Sequence, residues 1–353
     1  TGILELLATH ESDNFFYDYL RDNVNMIVIP VMNIDGVIQT QAYPRNNYLL
    51  SDPNFPDTSP RDGRMRRKNM RDTDEDLATT SDHLNGIDLN RNNAPFWSTN
   101  PNRSSSDPQS IVYHGTAAAS EPEIQALDVA AQLGPIDRLR VFTDVHSYSM
   151  VTYWMRNINA SLTDENKKVQ DTFSNHHRAL PGGVWYAVTP TNQVAFNNGF
   201  GMTNEYFTMT YRIPSWGLEV EPSAGQTFHS PLPGAGADYG GTNENGHDGF
   251  ILPESEIRRV REELAQSFAA VYYRQSGPPS IRALKLIDQD SGAVVFEAEW
   301  DTVDNQTRAL YKNQIQALQL NHQYDAWLSF NKPMRWRENG EAVPFPGQDA
   351  STL

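Results

Sequence analysis

The sequence Leu139-Arg-Val-Phe-Thr-Asp-Val-His146 predicts a β-strand with a histidine at its carboxyl end. A second run, Ser215-Trp-Gly-Leu-Glu-Val220, predicts another strand, which carries a carboxylate near its middle. Amphipathic helices are predicted beside these strands, over residues 165–180 and 254–274. Strands that alternate with helices indicate an α/β domain, with a mixed, mainly parallel sheet and helices on both of its faces.

The sequence before this region predicts one more strand and a long irregular stretch. Residues 2–23 are predicted to be helical, and the apolar run 25–32 predicts a strand buried on both faces. Asn33-Ile-Asp-Gly36 has turn chemistry. Residues 39–110 are polar and irregular, which is typical of a functional loop region. Ser120-Glu-Pro-Glu123 predicts a capping box that starts the next helix.

The last part of the chain has a different character. Ser276-Gly-Pro-Pro-Ser280 predicts a linker, and short segments of period two follow it. We therefore expect an α/β domain over residues 1–277 and a small β-sandwich over residues 278–353.

Composition excludes several classes of protein. The formal net charge of −16 argues against a nucleic-acid partner. The chain has no apolar run near the ~18 residues that a membrane helix needs. There is no cysteine, so a metal would have to be held by histidine and carboxylate side chains.

Three features point to chemistry. Arg64-Met-Arg-Arg-Lys68 concentrates cations in a loop, and Asn90-Arg91 follows a possible strand. Guanidinium groups match carboxylates with two parallel hydrogen bonds, so both segments are candidates for anion binding. His146 ends a predicted sheet strand, where ligands of α/β sheets bind. A solvated basic patch and a structural histidine are the alternatives for these features taken singly.

Taken together, and in their order, these segments resemble the zinc metallocarboxypeptidase family, which includes the pancreatic carboxypeptidases. The resemblance covers roughly residues 1 to 275. It is carried by Asn33-Ile-Asp-Gly36, Arg64-Met-Arg-Arg-Lys68, Asn90-Arg-Asn92, Tyr113-His-Gly115 with Ser120-Glu-Pro-Glu123, His146-Ser-Tyr148, Trp216-Gly-Leu-Glu-Val220 and Gly249-Phe-Ile-Leu-Pro253.

The resemblance implies an enzyme that removes residues from the carboxyl end of peptides by means of zinc. His146 would be the third zinc ligand, and Glu219 would be the general base that activates the metal-bound water. Arg67 would stabilise the oxyanion. Asn90 and Arg91 would hold the free C-terminal carboxylate of a peptide or protein substrate.

The resemblance also implies further substrate contacts from Arg64 and Tyr148. It puts Thr203 near the base of the specificity pocket. A family tyrosine that closes over the substrate falls by spacing on Phe196, with Tyr186 and Tyr206 as nearby alternatives.

The chain departs from the family because it contains no His-x-x-Glu motif, which supplies the first two zinc ligands in the family. We expect that motif to lie upstream of Thr1. On this interpretation the chain as given binds zinc poorly and is inactive, and we expect its β-rich end to be incomplete too.

Other readings stay open. One alternative is a catalytically inactive peptide-binding protein, and another is an amidohydrolase that acts on cell-wall peptides. Calcium at residues Asp238, Asn243, Asn245 and Asp248 is a weaker possibility, and His176-His177 is expected to lie on a solvated helix surface. The expected location is secreted or periplasmic.

Overall fold

The computed structural model describes most of the chain. The described residues are 2–10, 15–42, 66–73, 86–155, 160–181, 186–190, 199–223, 227–229, 231, 238–240, 249–250, 252–279, 281–299, 313–319, 322–330, 336–338 and 341–343. They form two compact units, Thr1–Ser276 and Gly277–Leu353. The division falls beside the predicted linker. No helix in these ranges is long and apolar enough to cross a membrane.

The first unit is built on a four-stranded sheet. Its strands are β1 (Phe142–Ser147), β2 (Val151–Trp154), β3 (Ala187–Pro190) and β4 (Ser215–Val220), in the order β1-β4-β2-β3. β1 pairs in parallel with β4, and β2 pairs in parallel with β3, whereas β2 and β4 are antiparallel. The sheet is therefore mixed and mainly parallel, which confirms the predicted fold class.

Seven helices accompany this sheet among the described residues. They are α1 (Gly2–Thr9), α2 (Phe15–Asn23), α3 (Ile34–Ala42), α4 (Pro122–Ala131), α5 (Ala160–Ala179), α6 (Thr203–Tyr211) and α7 (Glu254–Ser276). Short 3₁₀ turns cover Leu89–Arg91 and Ile136–Arg138. Two further short strands, β5 (Thr227–Phe228) and β6 (Tyr239–Gly240), pair with each other.

Helices pack on both faces of the sheet. On one face Trp216 of β4 packs in a core with Phe173 of α5 and Val271 of α7, and all three are fully buried. On the other face Phe142 of β1 stacks on Phe207 of α6, with ring centroids 3.8 Å apart. Phe142 is the register partner of Ser215, the residue before Trp216. Because side chains alternate along a strand, Phe142 and Trp216 point to opposite faces of the sheet.

The predicted strand at residues 25–32 is wrong, because no strand is assigned there. Ile27, Ile29 and Val31 are exposed on one side of this segment. An apolar run becomes a strand only when a neighbouring strand satisfies its backbone groups, and this segment pairs with none among the described residues. The predicted turn at Asn33 starts α3, where the Gly36 N–H donates to Asn33 Oδ1 at 3.0 Å.

The predicted capping box at Ser120 is also wrong. The residue that caps α4 is Glu121, and no side chain caps the helix there. The Ser120 hydroxyl instead donates to Glu121 Oε1 at 2.7 Å and accepts from Asn92 Nδ2 at 2.9 Å. A competing long-range partner thus takes the hydroxyl away from the helix.

The second unit contains an antiparallel three-stranded sheet. Its strands are β7 (Ile281–Asp288), β8 (Val294–Glu299) and β9 (Tyr324–Phe330), with β7 in the centre. β10 (Trp336–Glu338) and β11 (Glu341–Val343) form a separate pair. All of these elements are β-strands except for residues 313–316, which are helical. The predicted β-sandwich stays a prediction.

Candidate active site

The centre of the candidate site is formed by two neighbouring parallel strands. His146 of β1 and Glu219 of β4 are register partners, one residue before the end of each strand. Register partners on adjacent strands point to the same face of a sheet. The imidazole and the carboxylate therefore project side by side, near the carboxyl ends of both strands.

The 3₁₀ turn Leu89–Arg91 brings Asn90 to His146. Asp88 caps this turn, because its Oδ1 accepts the N–H of Asn90 at 3.1 Å. Asn90 Nδ2 then lies 3.4 Å from His146 Nε2. On its other side, Asn90 Oδ1 accepts the backbone N–H of Thr203 at 2.9 Å and its hydroxyl at 3.3 Å. Thr203, the predicted pocket residue, is therefore fixed directly beside Asn90.

Arg67 is held from two directions. Asn33 Nδ2 donates to the backbone carbonyls of Arg67 and Lys68, at 3.3 and 3.0 Å. The guanidinium pairs with Asp88 Oδ2, from Nε at 3.0 Å and from Nη2 at 2.9 Å. The Asp88 carboxylate raises the pKa of Arg67, and Glu219 adds to this effect. A permanent cation thus lies within electrostatic reach of Glu219.

Arg91 lies beside Arg67 and is tied to the backbone. Its Nε donates to the carbonyl of Arg103 at 2.6 Å, and its Nη1 donates to the carbonyl of Asn90 at 2.7 Å. Burial lowers the pKa of Arg91, and the like charge of Arg67 lowers it further. Two guanidinium groups close together attract an anion, because an anion relieves their mutual repulsion.

His146 has a carboxylate neighbour on its own strand. Its Nε2 lies 2.8 Å from Asp144 Oδ2, two residues earlier on the same face of β1. Burial lowers the pKa of His146, but Asp144 more than offsets this effect, so the pKa is raised. Asp144 Oδ2 and Asn90 Nδ2 both lie next to Nε2 of His146, which can donate to the carboxylate or accept from the amide, one at a time.

Tyr153 of β2 closes the floor of the site. It pairs across the sheet with Gly217 of β4. A β-carbon on residue 217 would lie 2.0 Å from Cζ of Tyr153, so the ring covers the position that a side chain would take. Burial raises the pKa of Tyr153, and the carboxylates of Asp144 and Glu219 raise it further. The phenol therefore stays neutral beside them.

The contacts of three predicted tyrosines involve neither His146 nor Glu219. The ring of Tyr148 packs edge-on against Phe250, with centroids 4.9 Å apart. Tyr186 is fully buried and Tyr206 donates to Asp128, so neither hydroxyl is poised to close over a substrate. Arg64 and Phe196 lie outside the described residues.

Two weaker predictions also meet the structure. Of the proposed calcium ligands, Asp238 pairs with His229 at 2.9 Å, and the other three lie outside the described ranges. His177 was expected on a solvated surface, but its side chain is 1% exposed. That prediction is wrong, because α5 turns this residue toward α7.

Sequence reasoning missed three residues of the site, namely Asp88, Asp144 and Tyr153. Signals for two of them exist. Asp88 stands two residues before Asn90, the spacing of an aspartate that caps a turn. Asp144 stands two residues before His146, the spacing of a same-face neighbour in a strand. Tyr153 reaches the site through strand pairing alone, which a single sequence does not display.

The described residues do not complete a metal site. They contain no group of three or more histidine, cysteine, aspartate or glutamate side chains that could hold a metal ion. Structural and catalytic zinc sites use three or four protein ligands. His146 is therefore one candidate ligand without the others, and no reaction step is assigned to a metal here.

Comparison with known proteins adds the family. The sequence model of the zinc carboxypeptidase family matches residues 3–267, most of the first unit. The chain belongs to the zinc carboxypeptidase family. Rat carboxypeptidase B is 27% identical over 262 residues, which cover 72% of this chain and 50% of that protein. Human mast cell carboxypeptidase A is 29% identical over 264 residues, which cover 72% and 49%.

One solved structure shows a similar fold. The structure of thrombin activatable fibrinolysis inhibitor superposes with a TM-score of 0.55 at 19% identity, over 78% of this chain and 57% of that one. The chain spans about half the length of the curated relatives it matches. Membership in the family supports hydrolysis at the C-terminus of peptides in general terms.

Proposed function

We propose that this zinc carboxypeptidase family member hydrolyses the last peptide bond of peptides and proteins that have a free C-terminus. The observation that carries the proposal is the side-by-side register of His146 and Glu219, with Asn90 Nδ2 3.4 Å from the imidazole. A carboxylate, an imidazole and two guanidinium groups then surround one sheet edge. These are the groups that water activation and carboxylate binding need.

Each residue has a role in the proposed reaction. Glu219 takes the proton of the attacking water and later delivers it to the leaving amine. Arg67 faces the negative charge that develops on the carbonyl oxygen, and its salt bridge with Asp88 fixes its orientation before the reaction. In the family, zinc supplies a polarised water; His146 is this chain's candidate ligand for it.

The substrate carboxylate is assigned to Asn90 and Arg91. Backbone carbonyls already occupy Nε and Nη1 of Arg91, which orients the guanidinium. The nearby Arg67 reinforces the positive potential. Arg64 and Tyr148 are proposed as additional substrate contacts. The presence of both Asn90 and Arg91 favours a free carboxylate over the internal amides of cell-wall peptides.

Replacing Arg91 with alanine is expected to weaken binding of peptides with a free C-terminus by about 1.5–3 kcal/mol, the range for a charge-assisted hydrogen bond. The binding of amidated peptides should weaken little. KM and Kd for matched acid and amide peptides measure the difference. Arg91→Lys keeps the charge but not the planar guanidinium. Its affinity for acid peptides should therefore lie between that of the wild type and that of Arg91→Ala. Equal binding of acid and amide peptides by the wild-type protein would contradict the assignment and favour the amidohydrolase alternative.

The competing candidate is a catalytically inactive peptide-binding protein. The two differ in what lies upstream of Thr1: a His-x-x-Glu motif there favours the enzyme, and a natural upstream sequence without it favours the competitor. Elemental analysis of the natural protein, combined with hydrolysis of a blocked dipeptide, separates the two. Zinc together with turnover supports the enzyme, and peptide binding without either supports the binding protein. Export from the cell, the predicted location, is tested by fractionation of the source cells.

A further inference from the structure

A second group of charged side chains lies at the start of α7, outside the candidate active site. Arg259 donates from Nε to Glu256 Oε2 and from Nη1 to Glu263 Oε2, at 2.8 Å in both cases. Its Nη2 donates to Glu221 Oε1 and, at 3.1 Å, to the hydroxyl of Tyr239. We call Arg259 and its three glutamates the Arg259 cluster.

The Arg259 cluster is buried and unbalanced in charge. The four side chains are at most 8% exposed. Three carboxylates against one guanidinium give a formal charge of −2 if all are ionised. Charge without compensation is costly away from water, and such groups usually bind a proton instead. Glu221 Oε2 is buried and has no hydrogen-bond partner, so its ionised form is incompletely compensated.

The groups that face the cluster come from several elements. His177 of α5 places Nε2 3.6 Å from Glu263 Oε2. The Tyr239 hydroxyl donates to Glu221 Oε1 at 2.7 Å. Tyr186, which precedes β3, accepts the N–H of Glu221 at 3.1 Å. The two tyrosines are neutral, so among these neighbours only His177 can add a positive charge near neutral pH.

The cluster is attached to the strand that carries the proposed base. Glu221 directly follows β4 and stands two residues after Glu219. Its carboxylate is bonded to α7 and β6, and its N–H is bonded to Tyr186. The carboxyl end of β4 is therefore held through one residue on several sides. Glu221 is 1% exposed and its Oε1 is bonded to Arg259 and Tyr239, which makes it a poor substitute for Glu219 as base.

We propose that the Arg259 cluster holds one extra proton in the folded protein and thereby fixes the carboxyl end of β4 beside Glu219. The proton, shared by the carboxylates, reduces the formal charge from −2 to −1. Its loss leaves the carboxylates repelling one another and weakens the contacts that Glu221 makes. Glu221 and Arg259 are positioning residues on this view. The inference does not depend on hydrolysis, because the cluster belongs to the fold.

The sign of the pH effect follows from the direction of the shift. Burial raises the pKa of Glu263 to about 7, and the Glu221 carboxylate raises it while Arg259 opposes the rise. Burial also raises the pKa of Glu221. A carboxyl whose pKa is higher in the folded state stabilises the fold fully below its unfolded pKa of about 4.3. That contribution declines as the pH rises through about 7.

Unfolding by denaturant at a series of pH values between about 5 and 8 tests the proton. In the wild type, the unfolding constant should rise with pH by up to about tenfold more per pH unit than in Glu263→Gln, the effect of one linked proton. Glu262→Gln is the matched control, because Glu262 is next in sequence, more exposed, and pairs with Arg258 at 2.8 Å in the same i, i+4 geometry. The unfolding constant of Glu262→Gln should depend on pH as that of the wild type does. Parallel curves for the wild type and Glu263→Gln would overturn the proposal.

Two further measurements complete the test. The first needs only the wild type, in case Glu263→Gln fails to fold, and the second tests the link between the Arg259 cluster and β4. Infrared spectra of the wild type should show a buried protonated carboxyl at pH about 6 that disappears by pH about 8. Absence of that band would overturn the proposal that the cluster holds an extra proton. Amide exchange at residues 219–221 should accelerate about tenfold or more in Arg259→Lys and stay unchanged in Arg258→Lys. Unchanged exchange in Arg259→Lys overturns the link to β4, whatever the protein's hydrolytic activity.

Discussion

Glu219→Gln is expected to lower kcat of the zinc-loaded protein by about 10² to 10⁴, the usual contribution of a general base. The amide has the size of the carboxylate but cannot accept a proton from water. Zinc content should not change, because Glu219 is not a proposed ligand. Steady-state hydrolysis of a blocked dipeptide and elemental analysis on the same sample measure both quantities.

The control for this variant is Glu262→Gln, which removes an exposed carboxylate from α7 and should leave kcat unchanged. A near-wild-type kcat for Glu219→Gln would mean that another residue is the base. Glu221 is the nearest carboxylate along the chain. However, its side chain is only 1% exposed, so the attacking water would have no access to it in the folded protein.

Arg67→Ala is expected to lower kcat by about 10² to 10³, because it removes the cation that faces the developing oxyanion. KM should change little, since this charge matters most in the transition state. Arg67→Lys should recover part of the loss. A large rise in KM with unchanged kcat would contradict the assignment and indicate ground-state substrate binding instead.

The Arg67 variant needs a structural check. Its removal leaves the Asp88 side chain, which is 5% exposed, without its salt-bridge partner. Asp88 also caps the turn that presents Asn90, so a loss of activity could arise from a displaced turn. Arg67→Ala combined with Asp88→Asn removes the buried charge imbalance. If the double variant stays as inactive as the single one but regains its Tm, the loss belongs to the missing cation.

The elements that the sequence predicts well are those whose pattern is local. The strand Ser215–Val220 and the start of α7 at Glu254 were predicted to the residue. A strand inside a helix-flanked sheet and an amphipathic helix both carry their pattern in neighbouring residues. The apolar run at 25–32 has the same local signal, yet it pairs with no strand among the described residues. A strand forms only when a second segment pairs with it, and a single sequence does not show which segments pair.

The candidate site divides in the same way. His146, Glu219 and Asn90 were found because family motifs mark them, and the structure brings them together. Their partners Asp144 and Asp88 act through carboxylates that no motif marks. The Ser120 hydroxyl illustrates the limit, because a partner 28 residues away outcompetes the local cap. Long-range hydrogen bonds of this kind cannot be deduced from spacing alone.

The ring that lies over Gly217 restricts how this enzyme family member could be re-engineered or could have diverged. With Tyr153 in place, any β-carbon at position 217 meets the phenol 2.0 Å from Cζ. A library that randomises position 217 alone should therefore return glycine. A library that randomises positions 153 and 217 together should return pairs in which the first residue shrinks as the second grows. Positions 153 and 217 should therefore covary, and the floor beside Glu219 can become wider or narrower only if both residues are substituted together.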